Sequence, residues 1–393
     1  MKILIINSLY HPYKIGGAEV SVQLLAEQLA KSGHLVRVVC LTEENRTRMD
    51  CINGVDVNYI PLFNVYWPFY QAKRSSIKKL LWHVIDSYNF VMAKRVGQLI
   101  DDFKPDVVHT NNLAGFSVSV WSEVKRRKIK LVHTSRDYYL FHPNSTMFKN
   151  GRNQDVNSLE IKCWSYLKKV MSKHVDSYVG ISHYIEQLHS NNGFFKNAHK
   201  AVIYNPVEQL GTKNDKNESR DVNVIRIGFI GRLSEEKGFD DFIALARKFS
   251  NDPRYEFYAA GRFPSDANGK KYQIESELVK IHYLGFVKPE LFYNAIDVVY
   301  LPIKWHEPFG RVVIESVMAG KLTFTNMVGG IKELATVIDY IKPIDIAYDL
   351  IISGAVSDFP LYRLSDEQKL MFSINNIMID YCSKFEADYE FSR

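Results

Sequence analysis

Short apolar, β-branched runs alternate along the chain with segments of helical periodicity, the pattern of parallel sheets joined by crossover helices. In the first half the runs predict strands over Lys2 to Asn7, Leu35 to Leu41, Val55 to Ile60, Asp106 to Thr110, Lys130 to Thr134, Ser177 to Ile181 and Ala201 to Tyr204. In the second half they predict strands over Ile225 to Ile230, Tyr255 to Ala260, Ile281 to Leu284, Val298 to Leu301 and Leu322 to Thr325. Each half reads as a doubly wound α/β unit. Between them, Gly211 to Asn223 is polar and charged and reads as a linker or exposed loop. A last periodic segment, Asp366 to Phe385, carries Leu370, Met371, Ile374, Ile377 and Met378 at helical spacing and needs a surface to pack on.

A length of 393 residues favours two domains with full cores. Cys40, Cys51, Cys163 and Cys382 are scattered, with no close pair of the kind that marks zinc or a redox motif, so reduced thiols in a cytoplasmic protein are expected. The apolar start, Ile3 to Ile6, is too short for a signal-peptide core, and no run approaches the ~18 apolar residues of a membrane span. The net charge of +6 is modest, but basic residues cluster at Lys73, Arg74, Lys78 and Lys79 and again from Lys125 to Lys130. Either cluster could face anionic lipid or water. No recognition motif accompanies them, which argues against nucleic acid.

The most informative stretch runs from Trp305 to Gly320 and includes Glu307, Pro308, Phe309, Gly310, Arg311 and Glu315. It follows a predicted strand, and open α/β sheets bind ligands beyond the carboxyl ends of their strands. Arg311 to Ala319 reads as a helix whose start offers N–H groups and a positive dipole end to an anion such as a diphosphate. Glu315 lies about one and a half turns in. Gly231-Arg232 and Lys237-Gly238, after the strand opening the second half, place a cationic fork and a point charge in one glycine-bounded loop. Two glycine pairs, Gly16-Gly17 and Gly329-Gly330, also follow strands and precede helices. Taken singly, each of these features is equally well a turn or a solvated side chain.

Together they resemble the retaining glycosyltransferases of family 4, with the GT-B fold: two Rossmann-like doubly wound domains facing each other across a cleft. Glu307 and Glu315 match the two ends of that family's E-x7-E motif, and Ile203 to Val207 and Val328 to Gly330 support the match over about residues 1 to 335. The resemblance implies an N-terminal acceptor domain at 1–207, a donor domain at 208–365, and a C-terminal helix at 366–393 crossing back to the first domain. It implies that Arg232 and Lys237 neutralise a donor diphosphate, that Glu315 holds the ribose, and that Glu307 contacts the transferred sugar. Phe309, Gly310 and Arg311 would bind donor sugar or phosphate through backbone amides, with Gly16 and Gly17 closing from the other domain. Gly261, Arg262 and Phe286 would border the base.

Two stretches depart from the family. Arg136 stands where a histidine usually precedes the Asp137-Tyr138 pair, and the chain after Leu334 is short and irregular. An arginine cannot act as a base, so Arg136 either grips an anionic group of substrate or pairs internally with Asp137 or another acid. No Asp-x-Asp occurs, so no metal and no cofactor are expected; fixed positive charge would stabilise the leaving diphosphate.

The expected partners are a nucleotide-sugar donor and a glycan or polyprenyl-linked acceptor, as in surface polysaccharide assembly. Residues 66 to 100 mix Trp67, Phe69, Tyr70 and Trp82 with Lys and Arg, which suits peripheral contact with an anionic inner leaflet; a core helix with a solvated face explains them as well. The rival readings are a nicotinamide-dependent oxidoreductase, which lacks its Gly-x-Gly-x-x-Gly turn here, a sugar-nucleotide epimerase or hydrolase, and a non-catalytic binding protein.

Overall fold

The computed structural model describes residues 1–13, 16–69, 74–208, 223–359 and 362–386. Two compact units divide the chain. The first gathers Met1–Met147, Gln154–Pro206 and Met371–Arg393, and the second gathers Phe148–Asn153 and Val207–Leu370. Of the linker expected at Gly211 to Asn223, all but Asn223 lies outside the described residues.

The strands of the first unit are β1 (Lys2–Ile6), β2 (Leu35–Thr42), β3 (Arg48–Ile52), β4 (Val55–Pro61), β5 (Val107–Thr110) and β6 (Lys130–Ser135). After a small hairpin counted with the second unit, β7 (Phe148–Lys149) and β8 (Arg152–Asn153), come β9 (Ser177–Gly180) and β10 (His199–Val202). The sheet order is β10-β9-β6-β5-β1-β2-β4-β3, parallel except for β3, which runs antiparallel to β4. Ile3 to Ile6 are wholly buried, as a strand covered on both faces requires. β3, missed in the sequence, is a largely exposed edge of sequence Arg-Met-Asp-Cys-Ile, and charged edges resist pairing with other chains.

The helices of this unit are α1 (Gly17–Lys31), α2 (Ser76–Ser87), α3 (Phe90–Phe103), α4 (Ser119–Arg126), α5 (Leu159–Met171) and α6 (His183–Asn191). Ser75, Asn89, Ser158 and Ser182 cap α2, α3, α5 and α6, each side chain accepting from the amide three residues on. α3 is a core helix that buries Met92, Ala93, Val96, Ile100 and Phe103. α2 buries Trp82 and Asp86 and leaves Ile77, Leu80, Leu81 and Val84 exposed.

The second unit carries β11 (Ile225–Ile230), β12 (Tyr255–Ala260), β13 (His282–Gly285), β14 (Val298–Leu301), β15 (Leu322–Thr325) and β16 (Ile341–Pro343). All are parallel in the order β13-β12-β11-β14-β15-β16. That is the Rossmann order 3-2-1-4-5-6, whose direction reverses between β11 and β14. Its helices are α7 (Phe239–Phe249), α8 (Ala267–Leu278), α9 (Pro289–Ala295), α10 (Arg311–Met318), α11 (Ile331–Val337) and α12 (Ala347–Ile352). The chain after Leu334 completes the sheet with β16, a strand of three residues too short to give an alternation signal.

The final periodic segment is two helices, α13 (Asp366–Phe372) and α14 (Ile374–Glu386), interrupted at Ser373. The division between the units falls within α13. Ile377, Tyr381 and Phe385 of α14 join Val22, Leu25, Ala26 and Leu29 of α1 in the core of the first unit.

Candidate active site

In the second unit, the loops leaving β11 and β14 flank the point where strand order reverses, and they carry most of the residues the sequence singles out. Gly231 follows β11 with φ +138°, and Gly261 follows β12 with φ +142°. A Cβ on Gly261 would stand 1.7 Å from the Gly231 carbonyl oxygen, so the two strand ends approach at glycine-only distance. Gly238 closes the first loop against Pro302, whose carbonyl oxygen would lie 1.9 Å from an added Cβ. Backbone bonds then tie the loops together: the amides of Lys304 and Trp305 donate to the Glu236 carbonyl at 3.0 and 3.1 Å.

This frame brings Lys237 to Glu307. The lysine Nζ donates to Glu307 Oε2 at 2.5 Å, the indole Nε1 of Trp305 donates to the same oxygen at 2.8 Å, and the ammonium stands 4.8 Å from the centre of the Trp305 ring. A carboxylate that receives two donors while shielded by an indole is fixed in place, since charge-assisted bonds strengthen where water is excluded. Gly329-Gly330 supports it from beneath: Gly330 N donates to the Glu307 carbonyl at 2.7 Å, and a Cβ on Gly329 would meet that carbonyl oxygen at 2.2 Å. This glycine pair serves the close approach of two backbones.

Gly310, at φ +99°, starts α10, and its carbonyl accepts the first helical bonds, from Val313 and Ile314. One turn later Arg311 Nε donates to Glu315 Oε1 at 2.8 Å. Burial pushes the Glu315 carboxyl above the usual carboxylate range, and the Arg311 guanidinium pulls it back. Phe309 is buried. Arg232 is half exposed and 3.3 Å from Glu236, a loose pair that a stronger anion can displace. The guanidinium of Arg262 stacks 4.4 Å from the exposed Phe286 ring beside the glycine-rich strand ends.

Trp305 and Asn153 also serve the site, although no motif of the sequence points to them. Asn153, on the β7–β8 hairpin, accepts from the His306 amide at 2.9 Å and donates to the Lys304 carbonyl at 2.9 Å, clamping both sides of Trp305. Its partner loop is about 150 residues away in the chain, and no local pattern announces such a contact.

The first unit holds the remaining candidates. Gly16 caps α1 in an extended conformation, and its amide donates to the buried Glu19 carboxylate at 2.8 Å. Arg136 is 6% exposed. Its Nε donates to Asn111 Oδ1 at 2.8 Å and its Nη1 to Asn205 Oδ1, while the neighbouring Asp137 accepts from the Tyr139 amide at 2.8 Å. Among the described residues no group of three or more His, Cys, Asp and Glu side chains could hold a metal, and no helix is long and apolar enough to cross a membrane.

Comparison with known proteins agrees with this architecture. Residues 15–209 match the family Glycosyltransferase Family 4, and residues 212–338 match Glycosyl transferases group 1. The chain is 44% identical, over 98% of its length and 100% of the relative's, to an uncharacterized 42.6 kDa protein in the cps region of Klebsiella pneumoniae. It is 25% identical, over 85% of its length and 82% of the relative's, to an uncharacterized glycosyltransferase of Methanocaldococcus jannaschii. Among solved structures, a sucrose-phosphate synthase from Thermosynechococcus elongatus superposes with a TM-score of 0.70 at 16% identity, covering 97% of both chains. Anabaena HepE in complex with UDP and glucose superposes with a TM-score of 0.69 at 16% identity, covering 98% of this chain and 100% of that one. With both domain types matched in order and a GT-B arrangement of two Rossmann-like sheets, the chain belongs to the family 4, group 1 glycosyltransferases.

Proposed function

We propose that the protein is a retaining, metal-independent glycosyltransferase that takes a sugar from a nucleoside-diphosphate donor and passes it to a glycan or lipid-linked acceptor in surface polysaccharide assembly. The observation that carries this reading is the meeting of Lys237, Trp305 and Glu307 where the strand order of the second sheet reverses. Lys237 and Arg232, with the positive end of α10 at Gly310, supply fixed positive charge for a departing diphosphate, and fixed charge needs no reorganisation during reaction. Glu307 is set to contact the transferred sugar. Glu315, neutralised by Arg311, takes the ribose hydroxyls, and Gly261, Arg262 and Phe286 border the base.

Two comparisons add support. The structure of Anabaena HepE holds UDP and glucose, and the Klebsiella relative comes from a cps region, a locus of capsule polysaccharide genes. The exposed apolar face of α2, with Lys78 and Lys79 on the same helix, fits peripheral attachment at a cytoplasmic anionic leaflet.

The test is incubation of the purified protein with a panel of nucleotide sugars, with and without EDTA and candidate acceptors. Release of nucleotide, with the product anomer read by proton NMR, is expected to be unaffected by chelation and to show retention. Inversion, or activity lost in EDTA and restored by magnesium or manganese, would overturn the mechanism.

A further inference from the structure

Away from these loops, the first unit contains a cavity of about 370 Å³ between α5, the end of α6 and the loop that follows it. Lys162, Lys169 and Lys196 all line it, together with Ser165, Asn157 and Asn192 and the aromatic side chain of Phe194, and no carboxylate does. Lys162, Ser165 and Lys169 share one face of α5 at the helical spacing of three and four. Lys196 comes from the loop. The lysine stems meet over Gly193: a Cβ there would lie 3.5 Å from Lys196 Cε and 3.7 Å from Lys169 Cδ. Gly193 takes φ +80°, a backbone conformation natural to glycine, and the turn it makes leads to Lys196 on the exposed rim of the cavity.

None of the three ammonium groups forms an ion pair among the described residues. The acids nearby are already engaged: Asp155 accepts from the Asn157 amide, and Glu160 pairs with His142. By contrast, one other basic stretch of this unit is paired with acids. In the Lys125 to Arg127 cluster, Lys125 pairs with Asp176, Arg126 with Glu123, and Arg127 with Asp101 and Glu123. Convergence of three unpaired cations on one concavity is self-repulsive, and a bound dianion relieves that repulsion.

We propose that this cavity binds a phosphate group, with the phosphate of a lipid at a bilayer surface as its source. α5 itself points to the bilayer, because the face beside the lysines exposes Leu159 at 81% and Tyr166 at 69%. α5 packs against α2, whose own exposed face carries Ile77, Leu80, Leu81 and Val84. Apolar side chains next to a cationic recess match an interface where headgroup phosphates lie above acyl chains. The lipid source rests on the peripheral attachment proposed above, whereas phosphate binding in the cavity is independent of glycosyl transfer.

The full chain is titrated with inorganic phosphate while amide resonances are followed, and its partition onto phosphatidylglycerol–phosphatidylcholine vesicles is compared with that onto phosphatidylcholine alone. The same is done for Lys169→Ala/Lys196→Ala and for a charge-matched control in the other unit, Lys270→Ala/Lys288→Ala, with melting temperature confirming that each is folded. Phosphate is expected to shift the Asn192 and Gly193 amides in the wild type and control and not in the cavity variant. Partition onto anionic vesicles is expected to fall at least about tenfold in the cavity variant and by less than about twofold in the control. Phosphate shifts with unchanged vesicle partition would keep the site and assign it to a soluble phosphate ester. No phosphate shift in the wild type, or equal loss of partition in both double variants, overturns the proposal.

Discussion

Lys237 Nζ and Glu307 Oε2 stand 2.5 Å apart, joining the loop after β11 to the loop after β14 through one charge-assisted bond. Lys237→Ala removes a donor from Glu307 and a cation from the diphosphate site. Its donor affinity should fall about ten- to hundredfold, because bonds to charged groups contribute roughly 1.5 to 3 kcal/mol. Glu307→Gln keeps an acceptor for Lys237 and Trp305 but loses the negative charge, so it should lower kcat more than it changes KM. Steady-state kinetics and donor titration check both; a Lys237→Ala protein with unchanged donor affinity would sink the assignment.

Asn153 is expected to act at a distance through Trp305. Asn153→Ala deletes two hydrogen bonds to the 304–306 backbone, worth about 1 kcal/mol each, and loosens the segment that presents Glu307. Turnover should fall about tenfold or more, with a smaller change in donor affinity. Asn153→Asp keeps the acceptor for His306 and should recover part of the rate. An alanine variant with wild-type kcat would show that Glu307 does not need the clamp.

How far the chain announced all this depends on the range of each contact. The parallel strands were legible because strands buried on both faces are continuous apolar runs, and Ile3 to Ile6 and Ile225 to Ile230 stand out plainly. The loop residues were legible because glycine, proline and charge follow strands at fixed offsets. The β7–β8 hairpin and Asn153 were not, since two-residue strands carry no period. Lys168 was not either: a helical lysine reads as solvated, yet this one is buried, and its ammonium donates to the Tyr139 carbonyl at 2.5 Å. The exposed apolar face of α2 was not legible either, because an apolar stripe says that a surface must be covered and not by what.

The Arg136 guanidinium is already oriented by Asn111 and Asn205, so its role can be separated by size and charge. Arg136→Ala leaves two buried amide oxygens without that donor and should lower the melting temperature by several degrees, for a loss of roughly 1 to 3 kcal/mol. If the arginine also grips an anionic substrate, Arg136→Lys should retain more activity than Arg136→His above pH 7, where the imidazole is neutral. Activity across donors and acceptors for the three variants, with melting curves, is the measurement; equal turnover in all three removes Arg136 from substrate contact.

Asp86 supplies a pH test of the first unit. Burial raises its carboxyl from 3.8 to about 6, against the opposing pull of Lys168 and of a bond from the Gly115 amide. A raised folded value means that the folded chain holds this proton longer than the unfolded chain. The contribution to stability is therefore fully present below about pH 4 and is lost as pH rises toward 6. Asp86→Asn has no proton to lose there, so its stability relative to wild type should improve steadily from pH 4 to 6. Denaturant titrations at several pH values read this directly, and a flat difference between the two proteins contradicts it.

The position of α14 has a consequence for how the molecule is made. Tyr381 and Phe385 lie in the same core as Val22 and Leu25, so the segment that seals the first sheet's outer layer is translated well after all of that sheet's strands. While the ribosome is still extending the intervening residues, the newly emerged amino-terminal half carries a bare apolar strip along α1, open to chaperones or to mispairing. Chains released before residue 374 should be captured by folding assistants or degraded even though every strand of the first sheet has been synthesised.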